Sequence, residues 1–226
     1  MKKKILSIII LSISIASLVG CTAKESALNN NVTINNETEN LNEGEDIPVV
    51  EASGKLVNCY DTLGKINNDS EVVVKGTIIE NEYVDYHDLT FTISKFKIDE
   101  VVKGDVSVGD TIKVLQTGGI SEFKRNEEDI KSFEDPEEVE KYLKDKIGKK
   151  YEVAMEGVRV LKEGTSSVLL LQKYDGPVVE DAYVGTGDFQ GRFILNKDAK
   201  SNTTVVTPQS MFLTEDITLD DLMNLK

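Results

Sequence analysis

The chain has 226 residues and a formal net charge of −14, with 40 acidic against 26 basic side chains. That excess opposes nucleic-acid binding, which draws its affinity from neutralising phosphates, and it repels an anionic lipid surface. Two cysteines are too few for a disulfide scaffold, so the fold must rest on a hydrophobic core.

From the start, Lys2, Lys3 and Lys4 precede an uncharged stretch of fifteen residues, Ile5 to Val19, followed by Gly20 and Cys21. That stretch is too short for a stable bilayer-spanning helix, and charge, short apolar run and small residue together make a cleavable export signal. With the cysteine in line, the segment resembles the signal peptide and lipobox of bacterial lipoproteins. The resemblance implies cleavage before Cys21, lipid on its thiol, and a place on the extracytoplasmic face of the cell membrane. One diacylglyceryl group supplies two acyl chains, enough for stable anchoring, so the membrane is a partner through the anchor. The expected layout is a signal peptide at 1–20, a lipidated cysteine and tether at 21–52, and one globular domain at 53–226. The tether follows from composition: Asn29-Asn30-Asn31, Asn35-Asn36 and the polar run from Glu37 to Asp46 hold too little apolar area to offset ordering entropy. With Cys21 lipidated, Cys59 reads as a small buried apolar group rather than a nucleophile.

Ordered elements are expected from about Leu56. Val57, Tyr60, Leu63 and Ile66 recur every three residues, which predicts a short helix from Val57 to Ile66. Glu71 to Glu80 is a β-branched run around Gly76, a glycine suited to a bulge, and a polar connection follows from Asn81 to Asp88. Leu89 to Val102 is a second strand, and the change of parity between Ile93 and Phe96 predicts a bulge within it. Lys103-Gly104-Asp105 and Gly109-Asp110 are turns, and Thr111 to Gln116 is a third strand. Ser121 to Asp135 lacks periodicity and reads as a loop. Asp135-Pro136-Glu137-Glu138 opens a helix: the aspartate caps free N–H groups, proline fits the first turn, and Gly148 ends it. Tyr151 to Leu161 and Ser166 to Tyr174 are expected to be two strands joined by a turn at Lys162–Thr165. Beyond Asp175 lies an appendage, with a hairpin from Phe193–Leu195 and Thr203–Val206. A final amphipathic helix starts at Asp216 or Thr218 and carries Leu219, Leu222 and Met223.

The order strand, strand, strand, helix, strand, strand predicts a mainly β fold with minor α. It is that of an OB-like five-stranded barrel with a helix between strands 3 and 4, plus a C-terminal extension. The strings VVVKGTII, FTISKFKIDEVVKGD and GDTIKVLQTGG between Glu71 and Gly119, with Gly185-Thr186-Gly187 and Gly191-Arg192-Phe193 further on, resemble uncharacterised Gram-positive lipoproteins and secreted proteins. A more distant likeness links the same region to the barrel of netrin and tissue metalloproteinase-inhibitor modules. Those inhibitors reach a protease zinc through a free N-terminal cysteine, whereas Cys21 would be acylated, so that mechanism is not carried over.

Chemistry-bearing residues are sparse. The one histidine, His87, sits beside Asp85 and Asp88, whose oxygens with an imidazole nitrogen could hold a divalent metal; the plainer alternative is a solvated acidic loop. Tyr183, Gly185, Gly187, Phe189 and Gly191 are candidates for a binding rim, because glycines admit a close backbone and aromatics carry contact area. The plainer reading there is a loop that closes the core. No residue pattern asks for a cofactor. The reading that accommodates these features is a membrane-anchored, non-catalytic module binding a protein or cell-wall glycan. The alternatives are a metal- or carboxylate-dependent cell-wall hydrolase and an extracellular protease inhibitor.

Overall fold

Two apolar runs, Val72-Val73-Val74 and Val168-Leu169-Leu170-Leu171, organise the architecture, because each is buried on both faces of its strand. The computed structural model describes residues 47–226 except 55, 57, 88, 125–134, 200, 202 and 226; Cys21, its signal segment and most of the expected tether lie outside the described residues, as does Asp88. In chain order the elements are strand β1 (Val49–Ala52), helix α1 (Leu63–Asp69), β2 (Val72–Tyr86), β3 (Leu89–Lys103), β4 (Thr111–Thr117), β5 (Gly119–Glu122), helix α2 (Pro136–Lys144), β6 (Lys150–Met155), β7 (Ser166–Tyr174), β8 (Ala182–Gly185), β9 (Arg192–Lys197), β10 (Thr204–Pro208) and helix α3 (Leu219–Met223). The fold is mainly β with a minor helical part.

Seven strands pair in the order β10-β9-β7-β2-β3-β4-β8, and β8 also pairs with β7, so β7, β2, β3, β4 and β8 close a ring. The β4–β8 contact is parallel and every other pairing in this sheet is antiparallel. Strand β7 manages three partners by dividing one edge, with Ser167–Leu169 on β9 and Leu171–Tyr174 on β8. A separate three-stranded sheet has the order β1-β6-β5.

Alternation along β2 and β7 divides the core. Val72, Val74, Leu169 and Leu171 join Ile78, Phe96, Ile98, Val114 and Leu161 in one cluster. Val73, Val168 and Leu170 face the other way, onto Tyr60, Leu63, Ile66, Phe193 and Leu222. A continuous apolar run is what a strand covered on both sides requires.

The starts of the last two helices are as the sequence predicts. Asp135 accepts from the Glu138 amide at 3.1 Å and Pro136 occupies the first turn of α2. Thr218 forms a capping box with Asp221 on α3. The first helix, expected from Val57 to Ile66, instead begins at Leu63 behind a cap at Thr62, and α2 ends at Lys144, short of Gly148. The expected C-terminal hairpin is β9 with β10.

Several expectations are corrected. The Tyr151–Leu161 strand ends at Met155, because Glu156 and Gly157 both take positive φ (51° and 75°) and turn the chain. Strand β6 therefore leaves the ring and joins β1 and β5, while Leu161 still reaches the core. The fourth ring strand is then β7, and the fifth is β8, inside the segment read as an appendage. The polar stretch 81–88 is no loop: β2 continues to Tyr86, paired with Leu89, and the turn falls at His87. No bulge interrupts β3 between Ile93 and Phe96. Burial alternates there without a break, and the register shift lies opposite, in β2, where Ile79 is passed over between Ile78 and Glu80. Val49–Ala52, expected within the tether, is ordered as β1 by a parallel ladder on β6. Cys59 is exposed rather than buried.

Candidate functional site

The regular alternation of β3 places Thr90, Thr92 and Ser94 on the same inward side as Phe96 and Ile98, so one end of the ring interior is polar. A chain of side-chain hydrogen bonds fills it. Arg192 Nη1 donates to Gln116 Oε1 at 2.7 Å, and the Leu161 amide donates to the same oxygen at 2.9 Å. Gln116 Nε2 donates to Ser94 Oγ at 2.7 Å, and Ser94 donates to Asn81 Oδ1 at 2.6 Å. Asn81 Nδ2 closes the chain on the Leu161 carbonyl at 2.9 Å.

Arg192 is the anomalous member. Its side chain is 2% exposed, and its nearest acidic partner, Asp188 Oδ1, stands 4.0 Å from Nη2. Nε is buried without a hydrogen-bond partner. Burial pushes the guanidinium down to about 10, partly countered by Asp188, so it stays charged at neutral pH. The Phe189 ring lies 5.8 Å from the guanidinium carbon, which adds a cation–π contact. Chemically the network holds its members in place. Ser94 is bonded to two amides, which fix a hydroxyl but do not deprotonate it.

Of the residues read as a rim, Tyr183 and Gly185 lie in β8, and Gly187, Phe189 and Gly191 lie in the tight turn that follows it. Phe189 is wholly buried, and so are Gly185 and Gly191. A Cβ on Gly185 would stand 2.0 Å from the Asp188 carbonyl oxygen, and one on Gly191 would stand 2.3 Å from that of Leu170. Gly187, at φ +66°, packs against Tyr60 and Gln190. Tyr183 is half-buried against the ring core. The loop is thus drawn into the protein, the plainer of the two readings of these glycines.

At the hairpin tip, Asp85 is occupied. Its Oδ1 accepts from Thr90 at 3.1 Å and from Ser121 at 3.0 Å, and Oδ2 pairs with Lys124. The Lys124 hydrogen bond, with smaller help from Ser121 and Thr90 and against partial burial, holds this carboxyl below the usual range. His87 is exposed at φ 53° and meets Tyr86 edge-on at 4.4 Å. Among the described residues, no group of three or more His, Cys, Asp or Glu is placed to hold a metal. The same tip exposes two large side chains, Tyr83 at 40% and Leu89 at 51%.

Two features escaped sequence reading. One is an open depression of about 250 Å³ lined by Asn58, Cys59, Tyr60, Lys65, Asn68 and Asp69. There Tyr60 Oη donates to Asp69 Oδ2 at 2.8 Å, and burial pushes the phenol up. The other is Arg192. Its signal lay in the alternation of Arg192-Phe193-Ile194-Leu195, where both strand faces carry apolar groups, so an arginine at the start must point inside.

Among the described residues, no helix is long and apolar enough to cross a membrane. Comparison with protein-family models, curated proteins and solved structures finds no match to this chain.

Proposed function

We propose that this chain is an extracytoplasmic lipoprotein, anchored through Cys21, whose ring is an OB-like five-stranded barrel. It acts as a non-catalytic module that binds a protein or a cell-wall glycan. The barrel reading is supported by the cyclic order β2-β3-β4-β8-β7, with one parallel contact between β4 and β8, the third and fifth ring strands along the chain, and α2 between the third and fourth, β4 and β7. The anchor reading rests on the Lys2–Cys21 pattern.

The observation that carries binding over catalysis is the state of the hairpin tip. Among the described residues there, Asp85 is tied to Lys124, Ser121 and Thr90, while Tyr83 and Leu89 stand exposed on the same hairpin. Exposed aromatic and aliphatic groups on a braced two-stranded arm offer contact area at low entropic cost. The test uses residues 21–226 with Cys21→Ser on a wall-glycan array and in a cross-linking pull-down from envelope material. Retention that is lost in Tyr83→Ala with Leu89→Ala is the expected outcome. Retention unchanged by that pair, or none in either format, overturns the reading.

A further inference from the structure

We propose that the edge of β6 that carries β1 is an exchangeable strand site, and that a second copy of this chain fills it by reciprocal swapping of β1. The resident strand shows what the edge accepts. Val49, Val50, Glu51 and Ala52 run parallel to Glu152, Val153, Ala154 and Met155. Holding contacts are mainly backbone: the Pro48 carbonyl accepts from the Glu152 amide at 2.9 Å, and the Ala52 carbonyl accepts from the Glu156 amide at 2.8 Å. One side-chain clamp closes the end, with the Gly54 amide donating to Glu156 Oε1 at 2.8 Å. Val49 and Val50 remain 44% and 41% exposed, and no residue of β1 belongs to either hydrophobic cluster.

Parallel strands ordinarily have both faces covered, and a short edge strand with exposed side chains falls at the weak end of local stability. Among the described residues, the chain is next held by side-chain bonds at Asn58 and Tyr60, whose backbone carbonyl and amide both bond the Gln190 side chain, at 2.7 Å and 2.8 Å. Only the segment before that point has to leave. A foreign peptide would have to outcompete a strand present at an effective concentration on the order of millimolar. Reciprocal exchange avoids that competition, because each copy regains the ladder it gives up. The extent of exchange at low protein amounts rests on the anchored reading, since tethering at Cys21 confines copies to one plane with β1 as the strand nearest the membrane in the chain.

The test uses the full-length chain in phosphatidylcholine–phosphatidylglycerol vesicles, with Cys59→Ser to remove a competing thiol. Chains carrying Val50→Cys are mixed with chains carrying Val153→Cys, the register partners, and oxidised. A covalent dimer at least tenfold above that from Val205→Cys mixed with Val153→Cys is expected; equal yields overturn the proposal. Independently of thiols, native mass spectrometry should show a dimer that disappears when residues 48–52 are deleted, and a dimer surviving that deletion overturns it. Intact mass of the same sample reports lipid on Cys21, so a failed anchor is distinguished from a failed exchange, which millimolar unanchored protein then decides.

Discussion

Arg192 and Gln116, 76 positions apart in the chain, meet inside the ring with Nη1 2.7 Å from Oε1. The bond links β9, an outer strand, to β4, on the far side of the ring from the β7 edge that carries β9. A buried guanidinium satisfied chiefly by a neutral amide is an expensive arrangement, and with the Gln116–Ser94 bond it ties β9, β4 and β3 together.

That bond yields an asymmetric mutational pattern. Arg192→Ala leaves a cavity and should cost about 3 kcal/mol. Arg192→Met removes the charge while keeping volume and should cost about 1 kcal/mol or less. Gln116→Leu strips the guanidinium of its acceptor and should be worse than Arg192→Met, with the double variant recovering part of the loss. Urea unfolding midpoints of the four chains check the order. A methionine variant less stable than the alanine one contradicts it.

Asp85 predicts a pH effect. Its folded carboxyl sits below the ordinary range because of Lys124, with Ser121 and Thr90. A depressed carboxyl contributes stability that is present above the unfolded-state value and is lost as pH falls through the folded-state value. In Lys124→Met the Asp85 titration should move upward, and the acid-side loss of stability attributable to it should shrink. Carboxyl-carbon NMR titration of both chains measures this; an unmoved Asp85 curve would refute it.

Two glycines should respond in opposite directions to the same substitution. A Cβ on Gly76 would stand 2.0 Å from the Lys97 carbonyl oxygen, where the register of β2 on β3 shifts between Lys75 and Gly76. Gly76→Ala should therefore cost about 2 kcal/mol or more. Gly64 lies in α1 with nothing within 4 Å of its absent Cβ. Gly64→Ala should stabilise by about 0.5–1 kcal/mol, since alanine loses less backbone freedom in a helix. Thermal melts of both suffice.

The anchor makes its own prediction. Cys21→Ser should shift the protein from the membrane fraction to the medium or soluble envelope fraction, and the wild-type mass should exceed that of residues 21–226 by a diacylglyceryl group. Wild-type protein with an unmodified thiol or a retained leader would be incompatible with it.

Local features of the fold were legible in the sequence, and the pairing of its strands was not. The caps at Thr218 and Asp135, the turn at Lys162–Thr165 and the double-faced runs at Val72 and Val168 all follow from residues a few positions apart. The polar stretch from Asn81 to Tyr86 hid a strand because its side chains bond across the hairpin and into the network, so no apolar alternation betrays it. The break at Glu156–Gly157 was hidden because the apolar residues on either side, Met155 and Leu161, are both buried although only the first belongs to β6. As for the site, Asp85 and His87 were correctly found near one tip, but what holds Asp85 comes from Ser121 and Lys124, beyond reach of any local pattern.

By itself, then, the sequence determined the β-rich class, the starts of the last two helices and the acidic character that disfavours polyanions. Those properties depend on propensity, periodicity and charge, which neighbours along the chain settle. Tertiary structure alone decided that β7 would share one edge between β8 and β9, that β6 would leave the ring, and that Arg192 would be enclosed by Gln116 and Phe189. Each of these depends on competition between strand edges distant in sequence, where the energy is in the pairing and in no single segment.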